Sequence, residues 1–239
     1  MNEARVGRDH AVVAATLLIL TALGWAALVR MNTDMSGTLP AARHGTAAFF
    51  AAVVMWLEMM VAMMAPATGP AVSAYIALAR RRRAAKSSFC GAVFCSGYLA
   101  VWIGYGALAA GGQSALGRFS GFSGNDLSAI ALIIAGLYQM TPLKQACIGR
   151  CRSPMLQLAM NWRNGVGGAL RLGLAHGAWC VGCCWALMAS MFVVGAANLI
   201  WMAALTLFVL GEKLAPARWR LDAAAGALLI AAGGGLLVS

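Results

Sequence analysis

Charge is scarce in this sequence. Only 10 % of its 239 residues are Asp, Glu, Lys or Arg, where soluble domains carry about 25 %. Acidic groups are scarcer still, at seven, and no hydrophilic stretch is long enough for a sizeable soluble domain. A water-soluble globular protein and a disordered chain are both excluded. The few carboxylates form no paired acid/base set: Asp34 and Asp126 fall in loops, and Glu3, Asp9 and Asp222 lie near termini or interfaces. A Ser/His/Asp arrangement and a phosphate-binding glycine loop are also missing, which disfavours a hydrolase and an enzyme generally. The seven cysteines do not cluster in exposed loops, so they are no disulfide scaffold.

What fills the sequence instead is apolar: 62 % of residues are hydrophobic, in long unbroken runs. Backbone polar groups must be satisfied internally in lipid, and runs of this length select helices over alternating barrel strands. The expected fold is all-α, a single polytopic transmembrane bundle over residues 1–239. About seven spans are expected: Ala11–Val29, Thr46 to near Ala65, Ser88–Ala110, Leu127 to near Ile148, Ala169–Val193, Asn198 to near Leu214, and Leu221–Val238. Span two runs into Pro66 and Pro70, where a kink or break is expected. The net charge of +11 is spread between the runs, which argues for topology and against nucleic acid. With the N-terminus inside, all 18 lysines and arginines except Arg30, Arg43 and Arg118 fall on the cytoplasmic side. The expected location is the cytoplasmic (inner) membrane.

Span five carries His176, Cys180, Cys183 and Cys184. At about 100° per residue, these offsets place one imidazole and three thiols within an arc of roughly 100° on one helix face. The CxxC of Cys180 and Cys183 is not followed by His, which excludes haem attachment, and it lacks the strand–helix setting of a thioredoxin site. A metal site is left, against the alternative that the thiols are small buried hydrophobes. In span two, Met55, Met59 and Met63 form one stripe and Met60 and Met64 a second beside it. Methionine is ordinarily flexible packing, but Glu58 lies about 12 residues into the same span, near the bilayer centre, where an ionised carboxylate costs roughly 2.5–3.5 kcal/mol on insertion scales. Met59 and Met63 are candidate soft way-points for a metal, and Glu58 a balancing charge or proton carrier.

Soft sulfur ligands favour Cu(I). One thiolate, a neutral imidazole and thioethers leave Cu(I) with no net charge, whereas Zn(II) with three thiolates carries about −1 and is harder to bury. Zinc is the second choice. Cys147 and Cys151, one helical turn apart at the inner end of span four, can accept or release a soft metal or simply pack. Sequence alone does not say whether they reach span five. Cys90 and Cys95 point apart and are expected to pack. His44 is expected to be a lone solvated histidine, and Glu212 to pair locally with Lys213.

The strings LYQMTPLKQACIGRCRSP, AHGAWCVGCCWALM, NLIWMAALTLFVLGEKLAP and MWLEMMVAMMAP resemble those of a bacterial family of predicted metal-binding integral membrane proteins, a domain of unknown function. The resemblance is densest over residues 137–216 and extends from Thr46 to the C-terminus. It implies a multi-pass helical protein and a metal role for His176, Cys180, Cys183, Cys184, Cys147 and Cys151. Copper transfer across the bilayer, or to a membrane-bound partner, is the leading expectation. Two others stand beside it: an accessory subunit of a larger complex, such as a copper-dependent membrane monooxygenase, and a membrane thiol redox protein. The outer segments lack the exposed cysteine pair that the last would need.

Overall fold

The computed structural model describes residues 15–31, 46–82, 87–116, 124–191 and 198–238. Every regular element among them is helical: α1 (Ala15–Met31), α2 (Thr46–Arg81), α3 (Ser87–Leu116), α4 (Gly124–Gln139), α5 (Pro142–Arg152), α6 (Pro154–Met160), α7 (Gly165–Ala189), α8 (Leu199–Leu214), a short 3-10 turn (Ala217–Trp219) and α9 (Leu221–Val238). The protein is a helical membrane bundle. Four of these helices, α2, α3, α7 and α9, contain a stretch long and apolar enough to cross a bilayer. With 16 residues each, α4 and α8 rise only about 24 Å at 1.5 Å per residue, short of the ~30 Å hydrocarbon core. The expected count of seven spans therefore does not follow from helix length alone.

Two boundaries differ from expectation. Helix α2 runs unbroken for 36 residues through Pro66 and Pro70. Each proline removes one backbone donor, yet packing on α3 holds the helix together, and Thr68 Oγ1 donates to the Met64 carbonyl at 2.7 Å. At roughly 54 Å, α2 must tilt or project beyond the hydrocarbon. Span four, expected as one helix to Ile148, is instead broken after Gln139. Thr141 caps a new helix by accepting from the Lys144 backbone N–H at 3.3 Å, and Pro142 occupies the first helical turn, where its missing donor costs nothing.

Just past the break stands a buried charge, Lys144. Its side chain is fully buried, with Nζ 2.7 and 2.8 Å from the two carboxylate oxygens of Glu212 on α8, and it also donates to Gln139 Oε1. Glu212 was expected to pair with its neighbour Lys213. It pairs across the bundle because the turn at Met140 and Thr141 carries the Lys144 ammonium inward. Arg152 Nε donates to the Glu212 carbonyl at 2.8 Å, and Gln145 donates to Asp222, so one polar layer joins α4, α5, α8 and α9.

Glycines set the closest helix crossings. α7 packs chiefly on α3, and α4 on α9. A Cβ on Gly97 would lie 2.7 Å from the Leu170 carbonyl oxygen, and one on Gly136 would lie 2.6 Å from that of Gly226. These backbones touch because no side chain intervenes, the usual device for membrane helices that lack a hydrophobic driving force between them.

Candidate metal centre

Helix α7 presents His176, Cys180, Cys183 and Cys184 inward, and all four are buried. The ligand atoms of Cys180, Cys183 and Cys184 lie within 4.8 Å of one another, the one such His, Cys, Asp or Glu group among the described residues. Cys183 and Cys184 sulfurs are 3.6 Å apart. Cys151 on α5 adds a fourth sulfur, 3.9 Å from Cys183. Two sulfurs sharing a metal at bonds of about 2.3 Å lie roughly 3.8–4.0 Å apart, so the donor set fits one soft ion with little rearrangement. All seven cysteines are free thiols.

The cluster is polar within an apolar core. Cys183 and Cys184 thiols donate to the Cys180 carbonyl at 3.1 and 2.7 Å, which leaves the Cys180 sulfur to accept. It does so from Lys213 Nζ at 3.1 Å, and the Tyr98 hydroxyl lies 3.3 Å away. An ammonium has donors and no acceptor, so Lys213 brings a positive charge directly to the sulfur. Neither Tyr98 nor Lys213 was singled out in the sequence as part of the site. Lys213 is free for this contact because Glu212 beside it is held by Lys144.

His176 shares the face but is not part of the compact thiol group. Its Nδ1 is 3.1 Å from Gln157 Oε1 on α6. A carbonyl oxygen only accepts, so Nδ1 carries the proton and Nε2 keeps its lone pair, the arrangement usual for metal-binding histidines. Cys147 is buried and faces α7, where a Cβ on Gly182 would come 2.8 Å from its sulfur. It thus lies against the cluster's helix without joining the close thiol group.

Met59 and Met63 are buried in the same core as the thiols, with Met60 and Met64. Three further methionines, Met188, Met191 and Met202, are fully buried there. Met188 and Met191 lie three residues apart at the C-terminal end of α7 and just beyond it, and Met202 lies on α8. Glu58 is half-buried on α2 and stands apart from the thiol group. Cys90 and Cys95 belong to a separate packing cluster with Tyr75 and Phe94. His44 lies outside the described residues.

A family model described as PpoB2, copper chaperone, matches residues 53–236. The chain belongs to this copper chaperone family. The match runs from within α2 to within α9 and includes each of the cysteines above, which agrees with the resemblance to metal-binding membrane proteins. No curated protein and no solved structure matches the chain.

Proposed function

We propose that this protein carries a single Cu(I) in the membrane and hands it to a membrane-bound copper enzyme. Cys180, Cys183 and Cys184 on α7 and Cys151 on α5 are the sulfur ligands, with His176 Nε2 and Cys147 as exchange partners. Met59 and Met63 are way-points and Glu58 is a proton or charge carrier. The observation that carries the reading is the four-thiol group, with sulfurs 3.6 and 3.9 Å apart, in a chain of a copper chaperone family. Soft sulfur selects Cu(I) over oxygen-seeking cations. With two of these four cysteines bound as thiolates at a time and the other two protonated, Cu(I) and its ligands carry −1, which the Lys213 ammonium 3.1 Å from Cys180 cancels, so the loaded core stays neutral overall.

Transfer is ligand exchange. A thiol of the receiving protein gives up its proton and binds copper as one of the chain's thiolates leaves, and the departing sulfur takes up that proton. Copper remains Cu(I), and no electron moves. The N-terminus is cytoplasmic and the bundle sits in the inner membrane, as the distribution of Lys and Arg supports.

The test is metal analysis of protein purified from copper-fed cells. Wild type should hold about one copper per chain, Cys180→Ser/Cys184→Ser none, and Cys90→Ala/Cys95→Ala the wild-type amount. Copper unchanged in the first variant, or zinc recovered in its place from wild type, overturns the proposal.

A further inference from the structure

A cavity of about 490 Å³ lies between α5, α6 and α7, lined by Arg150 on α5, Arg163 before α7 and Arg171 on α7, with the indoles of Trp162 and Trp179 and the amide of Gln157. The volume falls within the ~300–1,000 Å³ typical of small-molecule sites. No carboxylate lines it, and among the described residues none of these three arginines forms an ion pair with a carboxylate. Three guanidinium groups around one space repel one another unless an anion sits between them. Arg150 is held in place rather than splayed: its guanidinium stacks 4.0 Å from the Trp179 ring and donates to the Ala146 carbonyl at 3.1 Å.

The surroundings say what kind of anion. Met160 closes part of the cavity and is 77 % exposed, and Leu156, Leu170 and Leu174 nearby on α6 and α7 are also exposed. In a membrane protein, exposed apolar side chains of this kind touch acyl chains. Indoles beside arginines mark the level of the headgroups. Planar guanidinium forks match phosphate oxygens in pairs, and basic pockets between membrane helices suit anionic headgroups.

We infer that this cavity binds the phosphodiester headgroup of one anionic phospholipid, its acyl chains lying along α6 and α7. The inference is independent of the copper reading. Gln157 lines the lipid cavity and also holds His176, so the bound headgroup is one side chain away from the imidazole.

The experiment is native mass spectrometry of the delipidated full chain, titrated with phosphatidylglycerol or with phosphatidylcholine of the same acyl composition. One phosphatidylglycerol should bind saturably, at least about tenfold tighter than phosphatidylcholine. Arg163→Gln/Arg171→Gln should erase that preference, and Arg218→Gln, outside the cavity, should leave it intact. Glycerol phosphate at millimolar concentration should not displace the lipid. Equal binding of the two lipids overturns the inference, as does a preference that survives the double variant. Full displacement by glycerol phosphate also overturns it, because the ligand is then a soluble phosphate. The thermal midpoint of the double variant, compared with Arg218→Gln, shows whether it is folded.

Discussion

Replacing Glu212 by Gln should destabilise the protein far more than replacing most surface charges, because Lys144 is 0 % exposed and has its carboxylate at 2.7 Å. The variant leaves an ammonium in the core with no counter-charge, only the neutral amide oxygens of Gln139 and of the new side chain to accept from it. Removing one partner of a buried pair costs about 3–5 kcal/mol. Lys144→Met should cost a similar amount, since Arg152 bonds the Glu212 backbone carbonyl and not its carboxylate. The double variant Lys144→Met/Glu212→Gln removes both charges and should lie within about 2 kcal/mol of wild type, because a buried pair replaced whole is often neutral. Independent losses would sum to roughly 6–10 kcal/mol, so the cycle should show a coupling of at least about 4 kcal/mol. The assay is reversible unfolding in mixed micelles, with SDS as denaturant and tryptophan fluorescence as the signal. Single variants that each lose less than about 1 kcal/mol, or a double variant that loses the sum, would refute the assignment of this pair as a buried, mutually dependent one.

Gly136→Ala should lower stability by about 1–3 kcal/mol, since its methyl would meet the Gly226 carbonyl at 2.6 Å and neither backbone can yield. Gly182→Ala should stay within about 1 kcal/mol of wild type in the same unfolding assay: the obstructing Cys147 sulfur can rotate away, and alanine favours the helix. Equal losses for the two would contradict the packing described for α4 and α9. Gln157→Leu removes the acceptor that fixes His176 and should weaken Cu(I) binding by roughly 10–100-fold. Competition against a chromogenic Cu(I) chelator measures it, and an unchanged constant would place His176 outside the copper path.

Much of the site was legible because it is local. His176, Cys180, Cys183 and Cys184 share a face through helix periodicity alone, and α7 preserves that face as a buried stripe. The membrane character was legible from composition, and Thr141 and Pro142 carried a helix-start signal that the surrounding hydrophobic run obscured. What sequence could not give is adjacency. Nothing local tells Lys144 that its partner is 68 positions away, or Lys213 that it will meet Cys180 instead of its neighbour Glu212. Cys151 and Cys147 differ for the same reason: one turn of α5 brings Cys151 to the thiol group and leaves Cys147 against Gly182. The prolines of α2 misled in the other direction, since tertiary packing outweighed a local helix-breaking preference.

Three of the four sulfurs ride on one uninterrupted helix, α7, which glycines on both sides press to α3: Gly97 of α3 against Leu170 and Gly173 of α7 against Phe94. The fourth rides on an 11-residue segment that starts at one proline and is followed by another, Pro142 and Pro154. That segment is anchored elsewhere in the bundle, through Lys144 to Glu212, Gln145 to Asp222 and Arg152 to the Glu212 carbonyl. The thiol group therefore straddles two separately moored pieces of the protein. A shift of α5 against α7 would change the Cys151–Cys183 spacing and leave the spacing among the three sulfurs of α7 untouched.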